Sequence, residues 1–400
     1  MQTRKIGFVT PWYGEKITGG AEMATRQLVH HLSDSGVPVE VLTTCVKSFR
    51  DDWYKNLHKS GLTQEACIPV RRFRVRKGNA DLFQQVNLKL MNKFPISSED
   101  ERVFCEEMVN SPALYQYMKA HSGEYRAFVF IPYMFGTTYY GAQAVPEKSV
   151  LIPCLHDESY AYMKCFREVF SKVRGMVFLS KPEQALAERL YSVKGERFPV
   201  FGTGIDTDWE SNPQRFRDKF GIRESFILYA GRKDTGKRVD VLVRYFAEYK
   251  KRHQGDLKLV LIGGGDIDLP DRENIIDLGF VDAQDKYDAY GAASLFCNPS
   301  EFESFSIVIM ESWFAGTPVL VNGKCAVTRD FVSRTNGGLY YESYPEFEKC
   351  VEYILSHEAV AAQMGKNGRG FVLDNFAWDK IVKNYMEYFD RVTPSTSQGS

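Results

Sequence analysis

No stretch of about 18 consecutive apolar residues occurs in the 400-residue chain, which removes the ordinary transmembrane helix. No C-x-x-C pair occurs either: the eight cysteines, at 45, 67, 105, 154, 165, 297, 325 and 350, are scattered among strand-like and helix-like segments. That spacing argues against a zinc site or a small disulfide scaffold, and predicts reduced thiols in a cytoplasmic protein. Neither sign of charge is in excess, with 51 Lys and Arg against 51 Asp and Glu, so no global field directs the chain to nucleic acid or a membrane. The opening MQTRKIGFVTPWYG has only a short apolar run before Pro and Gly, unlike a secretory leader. No self-similarity at a period of about 20–50 residues suggests a solenoid. No G-x-G-x-x-G follows the first strand-like run, which disfavours a dinucleotide dehydrogenase.

What is present is a large apolar reserve. Hydrophobic residues make up 44% and aromatics 14%, ample for packed cores, and 400 residues exceed one ordinary core. Residues 6–10 read as a strand, and Thr18-Gly19-Gly20-Ala21-Glu22 as a loop into a helix with Met23, Leu28 and Leu32 on its apolar side. Residues 37–43 are the next strand, giving a βαβ unit at the start of a parallel sheet. Short apolar runs at 127–131, 149–153 and 175–179 continue it. A second series follows, with strands at 226–230, 257–262, 275–278, 294–297 and 317–322 and a helix at 238–252. Several of these strands run into glycine. The prediction is α/β, two Rossmann-like domains facing an interdomain cleft: 1–200, 201–377, and a last helix at 378–392 crossing back to the first. The polar tail PSTSQGS reads as disordered.

Residues 299–321, PSEFESFSIVIMESWFAGTPVLV, set Glu303 and Glu311 eight positions apart in an otherwise apolar run. A strand precedes it, a turn holds Glu303, and residues 305–314 read as a helix carrying Glu311 two turns in. The amides of Ser304, Phe305, Ser306 and Ile307 would then be helix N-terminal donors suited to a phosphate. Glu303 would accept from sugar hydroxyls and Glu311 from a ribose diol. The alternative is a solvated loop acid and a buried capping partner.

The stretch resembles the signature of retaining, GT-B glycosyltransferases of family 4, P-S-x-x-E-x-F with a second Glu eight residues after the first. Gly231-Arg232 with Lys237 is similar to that family's basic pair for the donor diphosphate, and Thr18-Gly19-Gly20-Ala21-Glu22 to its first glycine loop. His156-Asp157 resembles its histidine loop, Gly202-Thr-Gly-Ile-Asp206 its hinge segment, and Gly263-Gly-Gly265 its glycine turn. Two departures stand out: Ser304-Phe305-Ser306 replaces the usual Gly-Phe-Gly, and Arg238 replaces the usual Gly after the lysine.

The resemblance implies transfer of a sugar from a UDP- or GDP-sugar to a saccharide or lipid-linked saccharide acceptor in surface or exopolysaccharide assembly. Arg232 and Lys237 would neutralise the leaving diphosphate without a metal or other cofactor. His156 and Glu303 would face the reacting sugar, Gly19 and Gly20 would approach donor and acceptor, and the base would lie over Phe280 and Val281 with help from Lys286. His156 as a plain loop histidine remains the alternative reading. Two D-x-D pairs, Asp206/Asp208 and Asp266/Asp268, offer a metal reading that the cations make unnecessary. Residues 71–94 are the most basic stretch, with Arg72, Arg74 and Arg76 alternating with Phe73 and Val75. An arginine face there would suit a lipid diphosphate or the inner face of an anionic membrane, or else be a solvated edge strand. Tyr133, Phe135, Tyr139 and Tyr140 would mostly pack. A sugar-nucleotide epimerase and a non-catalytic nucleotide-sugar-binding subunit stay open as other classes.

Overall fold

Each half of the chain builds one mostly parallel sheet whose central strands are buried on both faces. FILYA at Phe226–Ala230 is buried at all five positions, as is VEVLTT at Val39–Thr44 at all six. Strands buried on both faces are mostly apolar, and the polar residues among them, such as Glu40, are partnered. The computed structural model describes residues 4–15, 17 and 19–393. The polar tail at 394–400 and Thr18 of the glycine loop lie outside them.

The first unit comprises the chain up to Gly204 together with the segment from Asp379 onward; the second is Ile205–Trp378. In the first, β1 (Lys5–Val9), β2 (Val39–Thr44), β3 (Gly61–Glu65), β4 (Ile68–Phe73), β5 (Tyr125–Phe130), β6 (Ser149–Leu151) and β7 (Gly175–Met176) form a sheet ordered β3-β4-β2-β1-β5-β6-β7. All its pairings are parallel except β3 on β4. In the second, β8 (Phe226–Ala230), β9 (Lys258–Ile262), β10 (Ile275–Gly279), β11 (Leu295–Asn298), β12 (Val319–Asn322) and β13 (Gly338–Tyr341) run parallel in the order β10-β9-β8-β11-β12-β13. Strand order reverses between β1 and β5 in one sheet and between β8 and β11 in the other. Ligands of open parallel sheets bind beyond the strand C-termini at such reversals.

The helix Trp378–Val392 begins at the unit boundary and packs within the first unit. Tyr388 Oη donates to the Arg197 carbonyl at 2.8 Å, and Arg174 and Arg126 donate to the carbonyls of Val392 and Thr393 at 2.6 and 2.8 Å. The two guanidiniums thereby satisfy orphan carbonyls where the helix ends and complement its dipole.

The basic stretch does not form the expected arginine face. The strand is β4, interior to the sheet, and β3 takes the edge. Arg72 is buried, donating to the Tyr13 carbonyl at 2.8 Å and pairing with Glu65 at 2.6 Å. Arg71 pairs with buried Glu40 at 2.8 Å, and Arg76 with Glu107 at 3.1 Å. Buried charges need partners, and these carboxylates come from elsewhere on the chain, where a run of arginines gives no hint of them. Tyr133 and Phe135 are buried, and Tyr139 packs edge-on against Tyr140 at 4.8 Å. No helix among the described residues is long and apolar enough to cross a membrane.

Candidate active site

The reversal between β8 and β11 gathers the second unit's candidate residues. β8 ends at Ala230 and leads through Gly231 to Arg232, whose half-exposed guanidinium donates from Nε to Asp234. The glycine turn after β9 lies directly against this loop: a Cβ on Gly263 would stand 2.0 Å from the Gly231 carbonyl oxygen. The Lys233 amide donates to the Gly264 carbonyl at 2.7 Å, and the Lys233 ammonium, nearly fully buried, pairs with Asp277 at 2.5 Å. Asp234 also caps the short turn Thr235–Lys237, accepting from the Lys237 amide at 2.9 Å. Lys237 then points its ammonium at Glu303, 2.8 Å from Oε1, across from the loop after β11.

That second loop is held by two asparagines. Asn298 accepts from the Ser300 amide at 3.0 Å and donates to Ser306 Oγ at 2.9 Å; Asn322 donates to the Pro299 carbonyl at 3.0 Å. Glu303 therefore sits on a loop whose ends are tied down, with 13% of its side chain exposed. The following helix is Ile307–Phe314, two residues shorter than the sequence suggested. Ser304, Phe305 and Ser306 lie ahead of it, and only Ile307 of the four expected donors is a helical residue. Ser306 is the N-cap in a left-handed conformation, φ 79°, and no side chain caps the helix start. Phe305 is a core residue, its ring against Phe376 at 4.9 Å and Phe331 at 5.6 Å. Arg238, the other departure from glycine, is also left-handed at φ 58° and pairs with Glu301 at 3.2 Å. An L-residue in that conformation costs roughly 1–2 kcal/mol. Both loops thus keep the backbone shape that glycine adopts freely.

Glu311 is the fifth helical residue, about one turn in rather than two. It is buried and doubly held, by the Lys286 ammonium at 2.7 Å and the Tyr290 hydroxyl at 2.9 Å. Burial, with the Glu311 charge second, pushes the Tyr290 phenol well up, so Tyr290 remains a donor. Lys286, which the sequence offered as help at the base, pairs with Glu311. Phe280 follows Gly279 at the end of β10 and has 72% of its surface exposed. A Cβ on Gly264 would lie 2.4 Å from its ring, so glycine is what lets the ring rest on the turn after β9, with Val281 beside it. Asp206 of the first D-x-D accepts from the Trp378 indole at 2.8 Å, a packing role at the unit boundary. No cluster of three or more potential metal ligands occurs among the described residues.

In the first unit, Gly19 is the N-cap of the helix Gly20–Asp34, whose first-turn Glu22 accepts from the Trp12 indole at 2.7 Å. His156 follows β6 with its imidazole 30% exposed, and Nδ1 lies 3.3 Å from Glu158 Oε1. Beneath this loop is a carboxyl that sequence reasoning missed. Glu183, buried in the first turn of Lys181–Tyr191, accepts from the amides of Leu155 and Leu179, both at 2.6 Å. Burial pushes its carboxyl up to about 8 against the pull of those amides and that of Ser180. The motif Ser-x-x-Glu at 180–183 has the spacing of a capping box: Ser180 caps the helix, and the Glu183 carboxyl reaches back to the Leu179 amide while its other oxygen takes Leu155.

Residues 212–371 match the family described as Glycosyl transferases group 1, a span confined to the second unit. An uncharacterized glycosyltransferase of Methanocaldococcus jannaschii is 28% identical over 197 residues, 46% of this chain and 50% of that one. A D-inositol 3-phosphate glycosyltransferase of Gordonia bronchialis is 24% identical over 57% of this chain and 55% of its own. The chain spans about half the length of the curated relatives it matches. Among solved structures, sucrose-phosphate synthase from Thermosynechococcus elongatus superposes with TM-score 0.69 at 17% identity, covering 97% of this chain and 99% of that one. Anabaena HepE in complex with UDP and glucose gives 0.67 at 17%, covering 97% and 100%. These establish the fold: two parallel-sheet α/β Rossmann-like domains of the GT-B type.

Proposed function

We propose that this chain, whose second unit carries the group 1 glycosyltransferase match, transfers a sugar with retention from a UDP- or GDP-sugar to a saccharide or lipid-linked saccharide acceptor in surface or exopolysaccharide assembly. The observation that carries the reading is the Lys237–Glu303 pair, 2.8 Å apart where strand order reverses between β8 and β11. A donor site needs a cation for the diphosphate and a carboxylate for the sugar side by side, and the Lys237–Glu303 pair supports that reading. Arg232, half exposed beside them, forks onto phosphate oxygens once Asp234 yields, and the uncapped start of Ile307–Phe314 adds amide donors.

In this reading the leaving diphosphate gains negative charge as the glycosidic bond breaks, and Lys237 with Arg232 stabilises that charge more than the ground state. The demand for a metal is met by these cations. Glu303, released from Lys237 as phosphate arrives, accepts from sugar hydroxyls. Glu311, buried with Lys286 and Tyr290, serves the ribose through a carboxylate already fixed in place. Phe280 offers its exposed ring to the base; within the first unit, His156 is the candidate sugar contact. The acceptor proton goes to the departing phosphate oxygen on the same face, which accounts for retention without a protein nucleophile.

A thermal-shift screen against UDP, GDP, ADP and their common sugars, with and without magnesium, tests the donor side. Ligand at about 100 times its Kd adds roughly 2.7 kcal/mol. A shift with one nucleotide family, unchanged by magnesium, supports the reading. The absence of any shift overturns it.

A further inference from the structure

We infer that Glu183 is a positioning residue for His156: its carboxyl clamps the backbone on which the imidazole is mounted. This rests on the reading of His156 as a sugar contact. The loop after β6 is tied back to the sheet at its start, where Ile152 donates to the Phe130 carbonyl at 2.9 Å and the Pro153 carbonyl accepts from Tyr133 at 3.0 Å. It leaves the sheet at Leu151, passes Cys154 in a left-handed conformation at φ 53°, and reaches His156 two residues later. Between them, the Leu155 amide donates to Glu183 Oε1 at 2.6 Å. The other oxygen, Oε2, takes the Leu179 amide at 2.6 Å, in the segment after β7. One buried carboxyl therefore ties the C-terminal exits of two neighbouring strands to each other and to the start of Lys181–Tyr191.

The arrangement is over-specified for packing alone. A buried carboxyl is costly, and a helix first turn satisfies its own amides through Ser180. Here both oxygens are spent outside the helix, on the residue next to His156 and on its neighbour across the sheet. Tyr385, on the helix Trp378–Val392, lies near both Glu183 and Cys154. The groups that pull its carboxyl down are backbone amides, those of Leu155, Leu179 and Ser180.

Read at about pH 9, above the point where its carboxyl ionises, Glu183→Gln separates the two roles, because glutamine keeps the shape and one acceptor but turns an NH₂ toward the other amide. Two readouts on the full chain follow, with UDP-glucose and GDP-mannose as donor probes. The imidazole Cε1–H resonance of His156, assigned by its loss in His156→Asn, should shift or broaden in Glu183→Gln while the other histidine signals hold. Nucleotide release should fall about 10- to 100-fold in kcat, the scale for small misplacements in a site, with KM for the donor near wild type. In the His156→Asn background, Glu183→Gln should cost nothing further. An unchanged His156 resonance, or an equal loss of kcat with and without His156, overturns the proposal. If His156→Asn itself releases nucleotide at the wild-type rate, the sugar-contact reading fails, and the resonance alone still decides whether Glu183 holds the loop. Should Glu183→Gln fold poorly, Glu183→Asp keeps the acid, shortens its reach, and must give the same resonance change for the proposal to stand.

Discussion

Replacing Lys237 with alanine removes the cation that the donor-site reading requires and leaves Glu303 without its 2.8 Å partner. Both side chains are partly exposed, 31% and 13%, so the pair itself is worth no more than about 1 kcal/mol to the unliganded protein. The melting temperature without ligand should then move by roughly 2–4 °C at most. Phosphate binding should suffer far more. A charge-assisted hydrogen bond contributes about 1.5–3 kcal/mol, and because phosphate must displace Glu303 the loss belongs near 2 kcal/mol, about 30-fold in Kd. At a UDP concentration about 100 times the wild-type Kd, the stabilisation should drop from roughly 2.7 to about 0.9 kcal/mol. The ligand-induced shift accordingly shrinks from about 5–11 °C to about 2–4 °C. Glu303→Gln gives the opposite sign: it frees Lys237 from a competing carboxylate, so UDP should bind at least as tightly while sugar transfer is lost. Differential scanning fluorimetry, with calorimetry for Kd, measures both. Equal UDP-induced shifts in wild type and Lys237→Ala, or a large loss of UDP affinity in Glu303→Gln, would refute the reasoning.

Three further outcomes are expected. His156→Ala should lower turnover while leaving the UDP-induced thermal shift in place; wild-type turnover would return His156 to a loop residue. Phe305→Ala should behave as a core truncation, costing about 3–5 kcal/mol and roughly 6–20 °C, because its ring packs on Phe331 and Phe376; a change confined to nucleotide affinity would contradict that. Glu183 supplies a pH dependence: its carboxyl lies at about 8 in the folded chain against an ordinary 4.5. The folded form therefore holds a proton that the unfolded chain has released, and stability is full below about 4.5 and is lost as pH rises through about 8. The slope is at most about 1.4 kcal/mol per pH unit. Melting temperature measured from pH 6 to 9 should fall in wild type and fall less in Glu183→Gln; parallel curves would show that Glu183 does not titrate there.

The parts of the site legible in the sequence are those that local chemistry dictates. Strands buried on both faces read as apolar runs, so β8 was placed to the residue. The signature from Pro299 to Glu311 carries its meaning in spacing, and Gly231, Gly263 and Gly264 mark backbones that must touch a neighbour. Three things were hidden for a common reason. Arg72 looked like surface because its partners, the Tyr13 carbonyl and Glu65 on the paired strand β3, are brought to it by the sheet. Phe305 looked like the first helical residue, yet Ser306 turns left-handed and starts the helix at Ile307. Glu183 drew no reading at all, since nothing in the sequence announces that its carboxyl takes the amide of Leu155, 28 positions away. In each case the deciding partner is supplied by the sheet or by an irregular backbone torsion. The same logic explains why the serine and arginine that replace the usual glycines did not abolish the loops: at φ 79° and 58° both keep the glycine-like torsion, Ser306 held by Asn298 and Arg238 by Glu301. Backbone shape is retained there while the side chains differ, and this narrows the approach of a phosphate to the amides without removing any of the charges that would hold it.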